Sequence, residues 1–234
     1  MGGVPPRVVR AEELSGFTTA RLMDVTTAVM AILALPRPVG QVDAVVVPTG
    51  QGEQWRISHA IRRWEADRDI RCLLVANGNP AERTYHEVTM PYLRRLGLRR
   101  LDGVHLQAEA APNTGLQAAW VADRVEALGV TSLAISVSAY HLPRVFLTLL
   151  RALSQRGVRV PLVPDPVPVS SGAAVPETGA TGYDLLPGEV ERILRYADEG
   201  WLATPEELRR YLRWWWDEHG GPLGGSATLG GAPR

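Results

Sequence analysis

Four short clusters in this 234-residue sequence combine residues that can hold or move charge. Thr49-Gly50-Gln51-Gly52 is a glycine turn, followed by Arg56. Asn77-Gly78-Asn79 precedes Glu87. Pro112-Asn113-Thr114 opens a helical pattern, and Ser138-Ala139-Tyr140-His141 leads to Arg144. A glycine turn running into a helix lets backbone N–H groups approach an anion. Arg56 and Arg144 can clamp phosphate or carboxylate. Asn113 or Thr114 can cap the helix that follows, with or without a ligand. His141 titrates near neutrality and lies one helical turn from Arg144, so both share a face. Glu87, expected in the first turns of a helix, could orient His141 or activate water. A glutamate there is also a favourable partner of the helix dipole. His86, Glu87 and Glu109 show no diagnostic metal-ligand spacing, and a divalent metal is not expected.

Each cluster stands next to an apolar run. The runs are Ala44–Val47, Cys72–Ala76, Val104–Leu106, Leu133–Val137 and Val158–Val163. Between them lie stretches with helical spacing, at 55–67, 84–96, 115–128 and 142–155. Buried parallel strands read as continuous apolar runs, with helices as crossovers. The alternation predicts a three-layer α/β sandwich on a mainly parallel, five-stranded sheet. In such sheets ligands bind beyond the carboxyl ends of the strands, where these clusters fall. Gly97, Gly129 and Gly157 each follow a helical run, where a left-handed residue is wanted.

The flanking segments are read from the same chemistry. An N-terminal helix is expected over 18–35; its apolar part, Val25–Leu35, is too short to span a bilayer, which takes roughly 20 residues. It should be buried over the core. Residues 164–186, rich in proline and glycine, are expected to form a long loop. Two C-terminal helices should fill 187–219, the second opened by Thr204-Pro205-Glu206-Glu207. Trp214, Trp215 and Trp216 would anchor that helix on the domain, or else form a homodimer surface. Residues 221–234 should be a disordered tail, leaving a single domain over 1–220 with its core at 43–165.

Composition narrows the function classes. The 25 basic residues are all arginine and are matched by 25 acidic ones, so net charge is zero. General nucleic-acid binding is not expected without a basic excess. The absence of lysine removes Schiff-base chemistry and a Walker-type phosphate loop. A single cysteine, Cys72, excludes an intrachain disulfide and any multi-cysteine metal site. No signal-peptide pattern is visible at the N-terminus, and a cytoplasmic location is expected.

The motifs resemble those of the YdcF-like proteins, the bacterial group that includes SanA and ElyC. Ser136-Val-Ser-Ala-Tyr-His-Leu-Pro-Arg144 looks like that family's strand-to-helix signature. Asn113-Thr114, Asn77-Gly78 with Glu87, and Thr49-Gly50 with Arg56 resemble its other conserved pieces, in order over about residues 43–165. The resemblance implies a Rossmann-like fold with a shared polar pocket. It also implies a link to envelope or glycan-precursor metabolism, and a nucleoside-type ligand such as S-adenosylmethionine. Many envelope members of the family carry an N-terminal membrane anchor, which is not expected here, and the first loop reads Pro-Thr-Gly-Gln-Gly rather than a run of glycines.

The expected function is binding of an anionic small molecule containing phosphate or a nucleotide, with hydrolysis or group transfer. His141 would be the general acid or base, with Glu87 beside it. Thr49, Gly50, Gln51, Gly52, Arg56, Asn77, Gly78, Asn113, Thr114, Ser138, Tyr140 and Arg144 would line the ligand site. Two alternatives are a non-catalytic protein that binds a nucleoside or S-adenosylmethionine, and a tailoring enzyme of a specialised pathway. A methyltransferase proper would want an acidic residue after the second strand, where this chain has Asn77-Gly78-Asn79.

Overall fold

A computed structural model describes residues 7–35, 42–170 and 172–219. The expected tail at 221–234 lies outside them. The sheet has five parallel strands: β1 (Ala44–Pro48), β2 (Cys72–Ala76), β3 (Val104–Leu106), β4 (Leu133–Ser138) and β5 (Leu162–Val167). Their order is β3-β2-β1-β4-β5. The chain therefore builds one side of the sheet, then crosses to the other between β3 and β4. The switch point lies between β1 and β4, which pair from Ala44↔Leu133 to Val46↔Ile135.

Helices cover both faces. On one lie α1 (Thr19–Leu33), α4 (Thr114–Ala127), α5 (Leu142–Gln155), α6 (Leu186–Asp198) and α7 (Pro205–His219); on the other lie α2 (Gln54–Ala66) and α3 (Met90–Arg95). Alternate β1 residues serve the two cores: Ala44 and Val46 pack toward α4 and α5, Val45 and Val47 toward α2. That is why the strand reads as an unbroken apolar run.

Four expectations change in detail. β5 is Leu162–Val167 rather than 158–163, and so takes in Pro164 and Pro166. β5 is an edge strand, and the backbone alternates: Pro161 O accepts from Leu133 N at 2.9 Å, so odd positions face β4. Leu162 N faces away and donates to Tyr211 Oη at 2.6 Å. Pro164 and Pro166 share that outward side, where a missing N–H breaks no ladder bond. The loop then occupies 168–185, pinned by an isolated Ala174–Thr181 bridge.

The helix expected over 84–96 shrinks to α3, because Pro91 cannot sit deep within a helix. Thr89 caps it, accepting from Tyr92 N. Helix α1 buries only a stripe, Val25, Ala28 and Ile32, and leaves Met23, Met30 and Leu33 exposed. A short 3-10 turn at Ala11–Gly16 precedes it, which the sequence pattern did not announce. In α7, Trp215 is buried in the core, Trp214 packs beside Tyr211, and Trp216 is 43% exposed. The tryptophan run therefore anchors the helix through its first two members.

Among the described residues, no helix is long and apolar enough to cross a membrane.

Candidate functional site

The site is built at the switch point from the loops after β1 and β4. After β1, Gly50, Gln51 and Gly52 have φ of 146°, 55° and 69°. Three successive positive-φ positions bend the loop into a nest-like turn whose Gln51 N–H is directed at a carboxylate. Gly52 has no room for a side chain, since a Cβ would stand 2.8 Å from Thr84 Cβ. The loop is held from below by Gln117, whose Nε2 donates to Thr49 O at 2.9 Å and to Asn77 O at 2.8 Å. Asn77 is buried and shapes the second loop, accepting from Gly78 N at 2.8 Å.

Helix α2 then places Arg56, 1% exposed, under this loop. Its Nε donates to Ser138 Oγ at 3.3 Å and its Nη2 to Tyr140 Oη at 3.3 Å, and it pairs with Glu53. Ser138 and Tyr140 in turn donate to Glu53, at 2.7 and 3.0 Å. Burial pushes the Tyr140 phenol up to about 12, so it stays a donor. Arg56 Nη1 makes no hydrogen bond with the described residues.

After β4, His141 opens helix α5 and Arg144 lies one turn on. Both meet Glu189 of α6, itself 2% exposed. Arg144 donates through Nε to Glu189 Oε2 at 2.7 Å and through Nη2 to Oε1 at 3.1 Å. Its Nη1 donates to Thr114 Oγ1 at 2.7 Å. Arg192 adds a bond to Glu189 Oε1 at 2.7 Å. These cations hold the Glu189 carboxyl well below its usual range despite burial.

His141 is held by one nitrogen. Nδ1 lies 3.0 Å from Glu189 Oε2 and 2.9 Å from Arg144 Nη2. A protonated Nδ1 donates to Glu189 and leaves Nε2 a bare acceptor. An unprotonated Nδ1 accepts from Arg144 and leaves Nε2–H a donor. Burial, reinforced by Arg144, lowers the imidazole pKa to about 3, so the ring is neutral near pH 7. Nε2 makes no hydrogen bond with the described residues.

These groups converge on one polar cavity of about 60 Å³, the space of a few water molecules. Thr49, Gly50, Gln51, Arg56, Asn113, Thr114, His141 and Arg144 line it. Asn113 caps α4 by accepting from Leu116 N at 3.0 Å, so the α4 N-terminus faces the cavity. The other named residues fall elsewhere. Gly52 and Gly78 line a neighbouring cleft with Tyr85 and Tyr92. Ser138 and Tyr140 line a separate, mostly apolar cavity of about 360 Å³ beneath Tyr183 and Leu186, and touch the polar one only through Arg56. Asn77 supports its loop without lining the cavity.

Glu87 departs from its expected place. It is exposed, lies in the extended segment before α3, and is absent from the cavity wall. The carboxylate partner of His141 is Glu189 instead. A second unforeseen acid, Glu82, lines the cavity and accepts from Gln51 N at 2.5 Å. Glu189, Arg192 and Tyr196 share one face of α6 at i, i+3 and i+7, a polar stripe that could have been noticed beside the apolar one. No comparable signal marks Glu82. His86 and Glu109 are exposed, and no group of three or more metal-ligating residues occurs among the described residues.

No protein-family model matches the chain, and no curated protein matches it.

Proposed function

We propose that the polar cavity binds the anionic group, a phosphoryl or its like, of a small molecule, as a YdcF-like protein would, and that His141 moves a proton there. One observation carries the reading. Arg56 Nη1, His141 Nε2 and the N–H groups of Thr114 and Gly115 make no hydrogen bond with the described residues, and they gather at the switch point of a parallel sheet. Arginine and helix N-termini favour anions together. The cavity takes one charged group, and the rest of the ligand stays at its mouth.

Hydrolysis or group transfer follows from the His141 geometry. With Nδ1–H donated to Glu189, Nε2 accepts the proton of an attacking water or hydroxyl. The new bond forms to the phosphoryl centre while the leaving oxygen departs and receives that proton. Arg56 and Arg192 would stabilise the charge that builds on the other oxygens. An anion beside the ring also raises the basicity of Nε2 from the low value that burial imposes.

A thermal-shift panel tests this reading with inorganic phosphate, nucleotides, sugar nucleotides and S-adenosylmethionine. A ligand at a hundred times its Kd should stabilise by about 2.7 kcal/mol, a few degrees for this size. Stabilisation by one phosphate class, followed by turnover lost in His141→Gln, is expected. A response to S-adenosylmethionine alone, with no turnover, would replace it with a binding role.

A further inference from the structure

We infer that the Gly50–Gln51–Gly52 nest is an anion subsite that the protein's own Glu82 carboxylate occupies, and that a ligand's anionic group competes with Glu82 for it. The inference rests on the anion-binding reading above and names the element of the site that receives the charge. Gln51 N donates to Glu82 Oε2 at 2.5 Å. A Cβ on Gly50 would stand 3.4 Å from Glu82 Oε1, so the carboxylate lies over the nest. A carboxylate is placed where a phosphoryl oxygen would go.

A second observation points outward from the loop to a ligand. The Gln51 side chain is 94% buried, being 6% exposed, and lines the same cavity. Its Oε1 is buried with no hydrogen-bond partner. Buried polar atoms are rarely left so; as an acceptor, this oxygen calls for a hydroxyl or N–H of the ligand beside its anionic group. Among the described residues the nest thus has a backbone donor matched by Glu82 and a side-chain acceptor, Gln51 Oε1, matched by nothing.

Glu82 can leave. It is carried by the irregular segment before α3, not by a helix or strand. Its neighbours Arg83 and Thr84 fasten that segment to Glu177 of the 168–185 loop, through Thr84 Oγ1 to Glu177 Oε2 at 2.6 Å and Thr84 N at 2.8 Å. The segment can stay fastened while the one side chain swings out. Burial raises the Glu82 carboxyl above its ordinary range, and Glu177 adds to this; Gln51 N–H, Arg56 and Arg192 oppose it. His141 and Arg144 face the same cavity from α5. Protonated Glu82 holds the Gln51 N–H less tightly, so competition weakens as pH falls.

Sulfate is the probe, because its charge is constant across the range where Glu82 titrates. Calorimetric titration of the full chain and of Glu82→Gln, at about pH 5.5 and about pH 8, reads the competition directly. Glu82→Gln should bind sulfate about tenfold tighter at the higher pH, with the gap narrowing at the lower one. The Gln51 amide resonance should move on sulfate addition in both proteins. Equal affinities and equal pH profiles would overturn the competition while leaving the anion site standing. Weaker binding by Glu82→Gln would overturn it too, making Glu82 a support of the loop. Absence of sulfate binding from both folded proteins would remove the anion reading itself.

Discussion

Two buried charge clusters in this molecule use nearly the same residue types and do different things. One joins His141, Arg144 and Arg192 around Glu189. The other joins His59, Arg63 and Ser136 around Asp165. The second contains a serine, a histidine and an aspartate, the ingredients of a hydrolytic triad. Its wiring differs: both Ser136 Oγ and His59 Nε2 contact Asp165 Oδ2, so no imidazole stands between the serine and the aspartate. The aspartate ties β4 to β5 and α2, and its partners reach water, with His59 20% and Arg63 28% exposed. In the Glu189 cluster His141 and Arg144 are 5% and 7% exposed, and an imidazole nitrogen is left over for the cavity. Composition does not distinguish a site from a brace; unspent hydrogen-bonding capacity facing an enclosed polar cavity does.

The largest expected effect sharpens that contrast. Glu189→Ala strands Arg144 and His141 in the interior and should destabilise by about 3–5 kcal/mol. Asp165→Ala leaves cations that can hydrate, and should lose roughly 1–2 kcal/mol less than that. Equal losses in urea unfolding would break the distinction.

The acid responses come next, and they fall in different windows. Asp165 titrates at about 2 in the fold against 3.8 ordinarily, through hydrogen bonds from His59 and Ser136 and the charge of Arg63. Its folded pKa is depressed, so its contribution is present above pH 4 and is lost as pH falls toward 2. At about 1.4 kcal/mol per unit the loss is about 2 kcal/mol. Asp165→Asn should be flat there. His141 is also depressed, from 6.5 to about 3, but as a base. The unfolded chain takes up that proton first, so the native state loses stability as pH falls below about 6.5. His141→Gln should lose less stability than the parent between about pH 6.5 and pH 3, seen as converging melting temperatures.

Binding gives the third comparison. Arg192→Ala should weaken sulfate about tenfold, or about 1.4 kcal/mol, by removing a fork at the cavity wall. Arg63→Ala, on the closed cluster, should leave sulfate affinity within about twofold. The smallest effect is expected at Trp216, whose exposed ring should tolerate alanine within about 0.5 kcal/mol. Trp215→Ala in the core should lose several times more.

Much of the architecture was legible because β1, β2 and β4 are buried on both faces and so read as apolar runs. β5 was shifted because an edge strand admits proline on its outer side, which a rule for central strands does not foresee. Periodicity alone runs on through Pro91 and extends α3 back to residue 84, although proline bounds the helix there. That same extension put Glu87 on a helix and pointed it at the site. His141, Arg144, Asn113-Thr114 and the first glycine loop sit directly at strand ends, where topology alone places them. Glu82 and Glu189 come from an irregular segment and from a helix beyond a long loop, and only the folded chain brings Glu82 to the cavity and Glu189 to the residues that line it. Local pattern locates residues attached to the sheet; it does not locate those delivered from a distance.

The outer edge of β5 has a consequence for how copies of this chain meet. The three positions that point backbone nitrogen outward are Leu162, Pro164 and Pro166. One donor is consumed by Tyr211 and the two prolines have none. That border offers an incoming strand carbonyl acceptors but no free N–H, half of what a ladder needs, so strand addition and edge-to-edge aggregation are disfavoured there. The opposite border, β3, is only three residues long. Both borders are thus poor templates for strand addition, and replacing Pro164 and Pro166 with residues that carry N–H groups would restore a full donor row on the β5 edge.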